Sequence, residues 1–130
     1  MREQIKIGTT GEERFVVTDE HVINFADSKM PKVLASPSLI WFLEQAARKA
    51  ILPILEDRES CVGVMINVDH LAPTPPGKHV VCRARVIYTD GSQITFQLEA
   101  HDEQELVARG THRRAVVDKD RLSRRVNRKI

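Results

Sequence analysis

Residues 36–57, "SPSLIWFLEQAARKAILPILED", hold one long amphipathic helix, the strongest helical signal in the chain. Leu39, Leu43, Ala46, Ala47, Ala50 and Ile54 fall on a single apolar stripe at helical spacing, with Gln45, Arg48 and Lys49 opposite. Ser36 suits the N-cap and Pro37 the first helical position, where a missing N–H is no loss. Pro53 removes the bond to the Lys49 carbonyl and should loosen the last turn. Everything after the helix alternates with period two: "CVGVMINV", "HVVCRARVIYT", "QITFQLEAH" and "ELVARGTHRRAVV". Asp90–Gly91 marks a tight hairpin between the second and third of these strands. Before the helix, "ERFVVTDE" reads as a short strand ending near Thr18. "DEHVINFAD" reads as a helical turn capped by Asp19, with Val22 and Phe25 facing inward. Consecutive strands on short connections pair antiparallel, and a single helix must bury its stripe against them. The expected architecture is therefore α+β, an antiparallel sheet wrapped around one helix.

Composition narrows the class further. The 130 residues suit one domain, 42% hydrophobic and 29% charged. No apolar run reaches the roughly 18 residues of a membrane span, and "MREQIKIGTT" lacks the apolar core of a signal peptide. A cytoplasmic protein is the expectation. Cys61 and Cys82 have no metal-ligand spacing and read as small buried hydrophobes, so no metal is expected. The last twelve residues, "KDRLSRRVNRKI", carry six Lys/Arg and one Asp, leaving the rest of the chain net acidic. The reading is a domain over 1–118 and a basic tail over 119–130. Leu122, Val126 and Ile130 recur at helical spacing there, as in a short helix with one apolar side.

Two side chains sit oddly for bystanders. Glu44 lies at the edge of the apolar stripe, beside Ile40, Ala47 and Ile51. It either pairs with Arg48 one turn on or faces a cleft where the helix meets the sheet or a second subunit. His70 ends an apolar run directly before "LAPTPPG". Its ring either bonds the backbone of that turn or uses the rigid mount of Pro73, Pro75 and Pro76 for proton transfer near neutrality.

At "LASPSLIWFLEQAA", "GVMINVDHLAPTPPG" and "GTHRRAVV" the chain resembles the hotdog-fold thioesterases, and among them the fluoroacetyl-CoA thioesterase-like group. The resemblance runs from about Val33 to Val117. It implies a five-stranded antiparallel sheet around the helix, a homodimer or dimer of dimers, and hydrolysis of a small or medium acyl-coenzyme A in a dimer-interface cleft. It also implies catalytic roles for Ser36, Glu44 and His70, an acyl-pocket role for Gly63, and a structural or coenzyme-proximal role for Arg114. Coenzyme A is then part of the substrate, and no separate cofactor is implied. The stretch "NFADSKMPKVLAS" is shorter and poorer in aromatics than in the fluoroacetyl-specific enzyme, so that specificity is not carried over.

His70 would serve as general base towards water or the Ser36 hydroxyl. Glu44 would stabilise the imidazolium, attack directly or activate water. Backbone N–H groups near Ser38 would hold the oxyanion. Ser36 and Glu44 are eight residues apart, about 12 Å along a helix, so one histidine of the same subunit cannot touch both unless the chain bends before Ser38. Ser36 as a plain helix cap stays open. Arg83, Arg85, Arg113 and the tail are candidates for the coenzyme phosphates. A non-catalytic acyl-CoA or small-ligand binding module is the first alternative. A nucleic-acid binder is disfavoured by the scarcity of aromatics, and a dehydratase by the lack of histidine in the helix.

Overall fold

The computed structural model describes residues 1–23, 25 and 29–130. Its elements are β1 (Thr10–Val16), α1 (Ser36–Ile51), β2 (Glu59–His70), β3 (His79–Asp90), β4 (Gln93–His101), β5 (Leu106–Asp118) and α2 (Lys119–Asn127). The strands form one antiparallel sheet in the order β1-β3-β4-β5-β2. This is the α+β hotdog arrangement, with α1 as the rod that the sheet covers.

The stripe on α1 explains the packing. Leu39, Leu43, Ala46 and Ala47 are fully buried and Ala50 and Ile54 nearly so. They meet the inward positions of the strands, among them Val80, Cys82, Ala84 and Val86 on β3 and Ile94, Phe96, Leu98 and Ala100 on β4. Burying this surface is the main favourable contribution to folding. Both thiols are free and buried, and burial pushes Cys82 up to about 12. Pro53 has the expected effect: α1 ends at Ile51 and the chain tightens into a 3₁₀ turn, Leu52–Ile54.

Four local expectations are corrected. The N-cap of α1 is Ala35, so Ser36 is already helical and its hydroxyl caps nothing. The 3₁₀ turn Asp19–His21 is capped by Thr18 rather than Asp19, and the Thr18 N–H donates to His21 Nδ1 at 3.1 Å. Val22 packs against the core, but Phe25 is exposed. β1 starts three residues earlier than its alternation suggests and stops at Val16. The stretch expected to shape an acyl pocket, Asn24 to Ser36, lies partly outside the described residues.

β2 is an edge strand of 12 residues, paired only with β5. Val64 bulges out of register between Gly63 and Met65, and Val64 and Ile66 are exposed. Among the described residues, no helix is long and apolar enough to cross a membrane. The tail extends β5 directly as α2: the Asp118 carboxylate accepts from the Asp120 and Arg121 N–H groups at 3.0 and 3.1 Å.

Candidate active site

The sequence candidates fall into two clusters in one protomer. The first joins the start of α1 to the end of β2. Ser36 Oγ and His70 Nδ1 are 2.7 Å apart. The pair opens into a cavity of about 260 Å³ lined by Ile23, Val33, Leu71 and Pro73 among others. The mount is stiff for identifiable reasons. The Leu71 N–H bonds the Val107 carbonyl, the Thr74 carbonyl accepts from the Leu34 N–H, and the buried Thr74 hydroxyl donates to Asp102 at 3.0 Å. Gly77, at φ +89°, makes the exit that proline cannot. Burial holds His70 below the usual imidazole range, offset only in part by the Ala72 backbone carbonyl. The ring is therefore neutral at pH 7 and able to accept a proton. With no side-chain cap on α1, the Ser36 and Ser38 N–H groups remain donors at the positive end of the helix.

The second cluster sits two turns further along α1. The Glu44 Oε2 accepts from Arg114 Nη1 at 3.3 Å, and His112 Nε2 stands 3.9 Å away. Arg48, the alternative partner for Glu44, makes no ion pair among the described residues, because the strand behind the helix offers a better-placed cation. The Arg114 guanidinium is buried and engaged at all three nitrogens: besides Nη1, Nε donates to Cys61 Sγ at 3.3 Å and Nη2 to the Cys61 carbonyl at 3.1 Å. His112 Nδ1 lies 2.7 Å from the Met65 carbonyl, so it carries the proton, and Nε2 is left to accept from Arg114 Nη1 at 3.3 Å. Burial lowers the His112 pKa; the Met65 bond opposes this, the Arg114 charge adds to it, and Glu44 opposes it.

Gly63 belongs to this cluster for a steric reason. A Cβ there would lie 2.7 Å from Glu44 Oε2 and 3.3 Å from His112 Cε1. The glycine is what lets the carboxylate reach the strand. The cavity beside it, about 320 Å³, is lined by Glu44, Gly63, Val64, Met65, Ile66 and His112.

So the structure brings Ser36 to His70 and Glu44 to Gly63 and Arg114, but it does not bring the two clusters together in one protomer. His112 was missed. Its signal was available: on β5, His112 and Arg114 are two apart and share the inward face, and a buried arginine needs acceptors.

Comparison with known proteins identifies the family. A family model for the fluoroacetyl-CoA-specific thioesterases (FlK) matches residues 17–120. The fluoroacetyl-CoA thioesterase of Streptantibioticus cattleyicolor is 29% identical over 99% of this chain and 97% of its own length. A solved structure of the fluoroacetyl-CoA thioesterase FlK superposes with a TM-score of 0.91 at 28% identity, covering 98% of this chain and 99% of that one. A Thermus thermophilus thioesterase superfamily member superposes at 0.90 with 30% identity, covering 98% and 94%. The chain belongs to the fluoroacetyl-CoA-specific thioesterase family on the hotdog fold, and by that membership it is a thioester hydrolase.

Proposed function

We propose that this protein hydrolyses a small or medium acyl-coenzyme A to the free acid and CoA in a cleft between two copies of the chain. Each cleft would combine Glu44, Gly63 and Arg114 of one copy with Ser36 and His70 of the other. The observation that carries the reading is the placement of both clusters along the unpaired edge strand β2. An exposed edge of this length, with apolar Val64 and Ile66 on it, invites a partner strand. If two β2 strands pair antiparallel, the Gly63 end of one runs alongside the His70 end of the other, and the 12 Å objection vanishes.

In this cleft a water, or the Ser36 hydroxyl, loses its proton to neutral His70. Its oxygen adds to the thioester carbonyl, with the N–H groups at the start of α1 holding the oxyanion. The C–S bond then breaks and the imidazolium returns the proton to the leaving thiolate. With Ser36 as nucleophile, a water repeats the cycle to release the acid. The Glu44 carboxylate, fixed by Arg114, faces the imidazolium and stabilises it.

Thiol release from a panel of short, branched and aromatic acyl-CoAs tests the activity. Glu44→Ala and His70→Ala should each lose roughly 10²–10⁴-fold in kcat. Unfolding the two variants together and refolding them as a mixture tests the shared cleft. Half of the dimers are then mixed, each with one intact site, so about a quarter of wild-type activity should return. A wild type that leaves every acyl-CoA intact refutes the activity; a mixture as dead as its parents refutes the shared cleft.

A further inference from the structure

Beyond the two clusters, α2 stands out as a block of positive charge. Arg121, Arg124, Arg125, Arg128 and Lys129 are all exposed, and among the described residues none lies within ion-pair distance of a carboxylate. The helix is nonetheless fixed at its root. Asp118 caps it, the Lys119 N–H bonds the Arg58 carbonyl, and Lys119 Nζ bonds the Asp57 carbonyl at 2.9 Å. Between α2 and the end of β5 lies a cavity of about 270 Å³. Its apolar lining comes from Val116, Val117 and Leu122, and Arg121 and Arg125, one helical turn apart, line it as well. Asp118 also lines it, but its carboxylate is occupied by the two α2 N–H groups and by Arg58 at 3.8 Å.

We propose that this cavity binds the nucleotide end of coenzyme A: the adenine on the apolar lining and the 3′-phosphate and diphosphate on Arg121 and Arg125. This rests on the acyl-CoA reading and extends it to a region the family model does not cover, since its match ends at residue 120. Charge complementarity selects the ligand. A flat base beside several phosphates needs an apolar seat with arginines at its edge. Position agrees. Val116 is two residues beyond Arg114 on β5 and Asp118 four, so the cavity begins roughly 7–13 Å from the Glu44 cluster. The pantetheine arm, about four residues' worth of extended chain, reaches roughly 14 Å. Arg83 and Arg85, also candidates for the phosphates, are worse placed. They alternate with buried Cys82 and Ala84, so they lie on the sheet face turned away from α1, and Arg83 pairs with Glu12 at 3.6 Å.

Calorimetric titration of the full chain with CoA and with 3′-dephospho-CoA tests the site without turnover. The wild type should bind CoA roughly ten-fold more tightly. Arg121→Gln/Arg125→Gln should erase that preference, whereas a charge-matched pair on the far face, Arg83→Gln/Arg85→Gln, should keep it. In turnover, the α2 pair should lower kcat/KM for an acyl-CoA relative to the same acyl group on N-acetylcysteamine, which has no nucleotide, by about the same factor, with the loss in KM. Equal affinity of the wild type for both coenzymes, or an equal effect of the far-face pair, overturns the inference. So does a nucleic acid bound by α2 that CoA does not displace. CoA binding through α2 with no hydrolysis of any acyl-CoA would refute the proposed function and leave this site standing.

Discussion

The two clusters along β2 are held by opposite means. Ser36 and His70 form a neutral pair whose precision comes from the backbone around it, a proline-rich turn pinned to β1, β5 and the loop before α1. Glu44, Arg114, His112 and Cys61 form a charged network whose precision comes from side chains bonding one another. The first cluster can hold or release a proton without disturbing its scaffold. The second is interlocked, and a change to one member leaves another short of a partner. The proposed site, which would move a proton and keep a charge fixed, would be well served by this division.

The sharpest way to break the contrast is at Gly63. Alanine there adds one carbon, yet that carbon would lie 2.7 Å from Glu44 Oε2. The carboxylate must swing off Arg114, and misplacement by about 1 Å costs on the order of 10²-fold in rate. Gly63→Ala should therefore lose about that much kcat while circular dichroism and the Ser36–His70 pair stay intact. Activity within two-fold of wild type would show that the clamp on Glu44 is dispensable.

His112 separates the two halves of its own role. Asparagine keeps a donor near the Nδ1 position for the Met65 carbonyl but offers Arg114 nothing. Glutamine places an oxygen near the Nε2 position and keeps the Arg114 bond while losing Met65. If His112 is a positioning residue acting through Arg114, His112→Asn should lower kcat roughly ten-fold, equivalent to about 1.4 kcal/mol, with KM little changed. His112→Gln should recover most of the loss. Equal rates in both would mean that the histidine only fills space beside Phe96, whose ring centroid is 6.3 Å away.

Much of the scaffold is legible before any coordinates. The 3.6-residue stripe on α1 and the period-two runs after it report burial directly, so helix, strands and inward faces follow from spacing alone. Local signals failed where two readings compete. Ser36-Pro37 looks like a cap and a first helical residue, yet the hydroxyl goes to His70, and the cap is Ala35 with Ser36 the first helical residue. Glu44 was marked by its place at the stripe edge, but spacing within a helix could name only Arg48, not a cation 70 residues away on β5. That partnership is a product of topology. β5 lies between β4 and β2, an order that sequence adjacency hides.

The same contrast predicts how stability responds to acid, the smallest of these effects. His70 and His112 both have pKa values lowered by burial, so the unfolded chain, titrating near 6.5, binds more protons than the folded one in the interval below that value. Stability is then full above about pH 6.5 and is lost as pH falls from there towards the folded pKa values. The two residues should contribute unequally. His112 is almost wholly buried and faces the Arg114 cation as well as Glu44, the Met65 carbonyl and Phe96. His70 is only half-buried and faces Ser36 and the Ala72 carbonyl. A wild-type Tm measured from pH 7.5 to 5.5 should fall by on the order of a few degrees. His112→Gln should flatten that slope more than His70→Gln. The reverse order would move the costly proton to the Ser36–His70 end, and the division between a proton-moving cluster and a charge-fixing one would have to be redrawn.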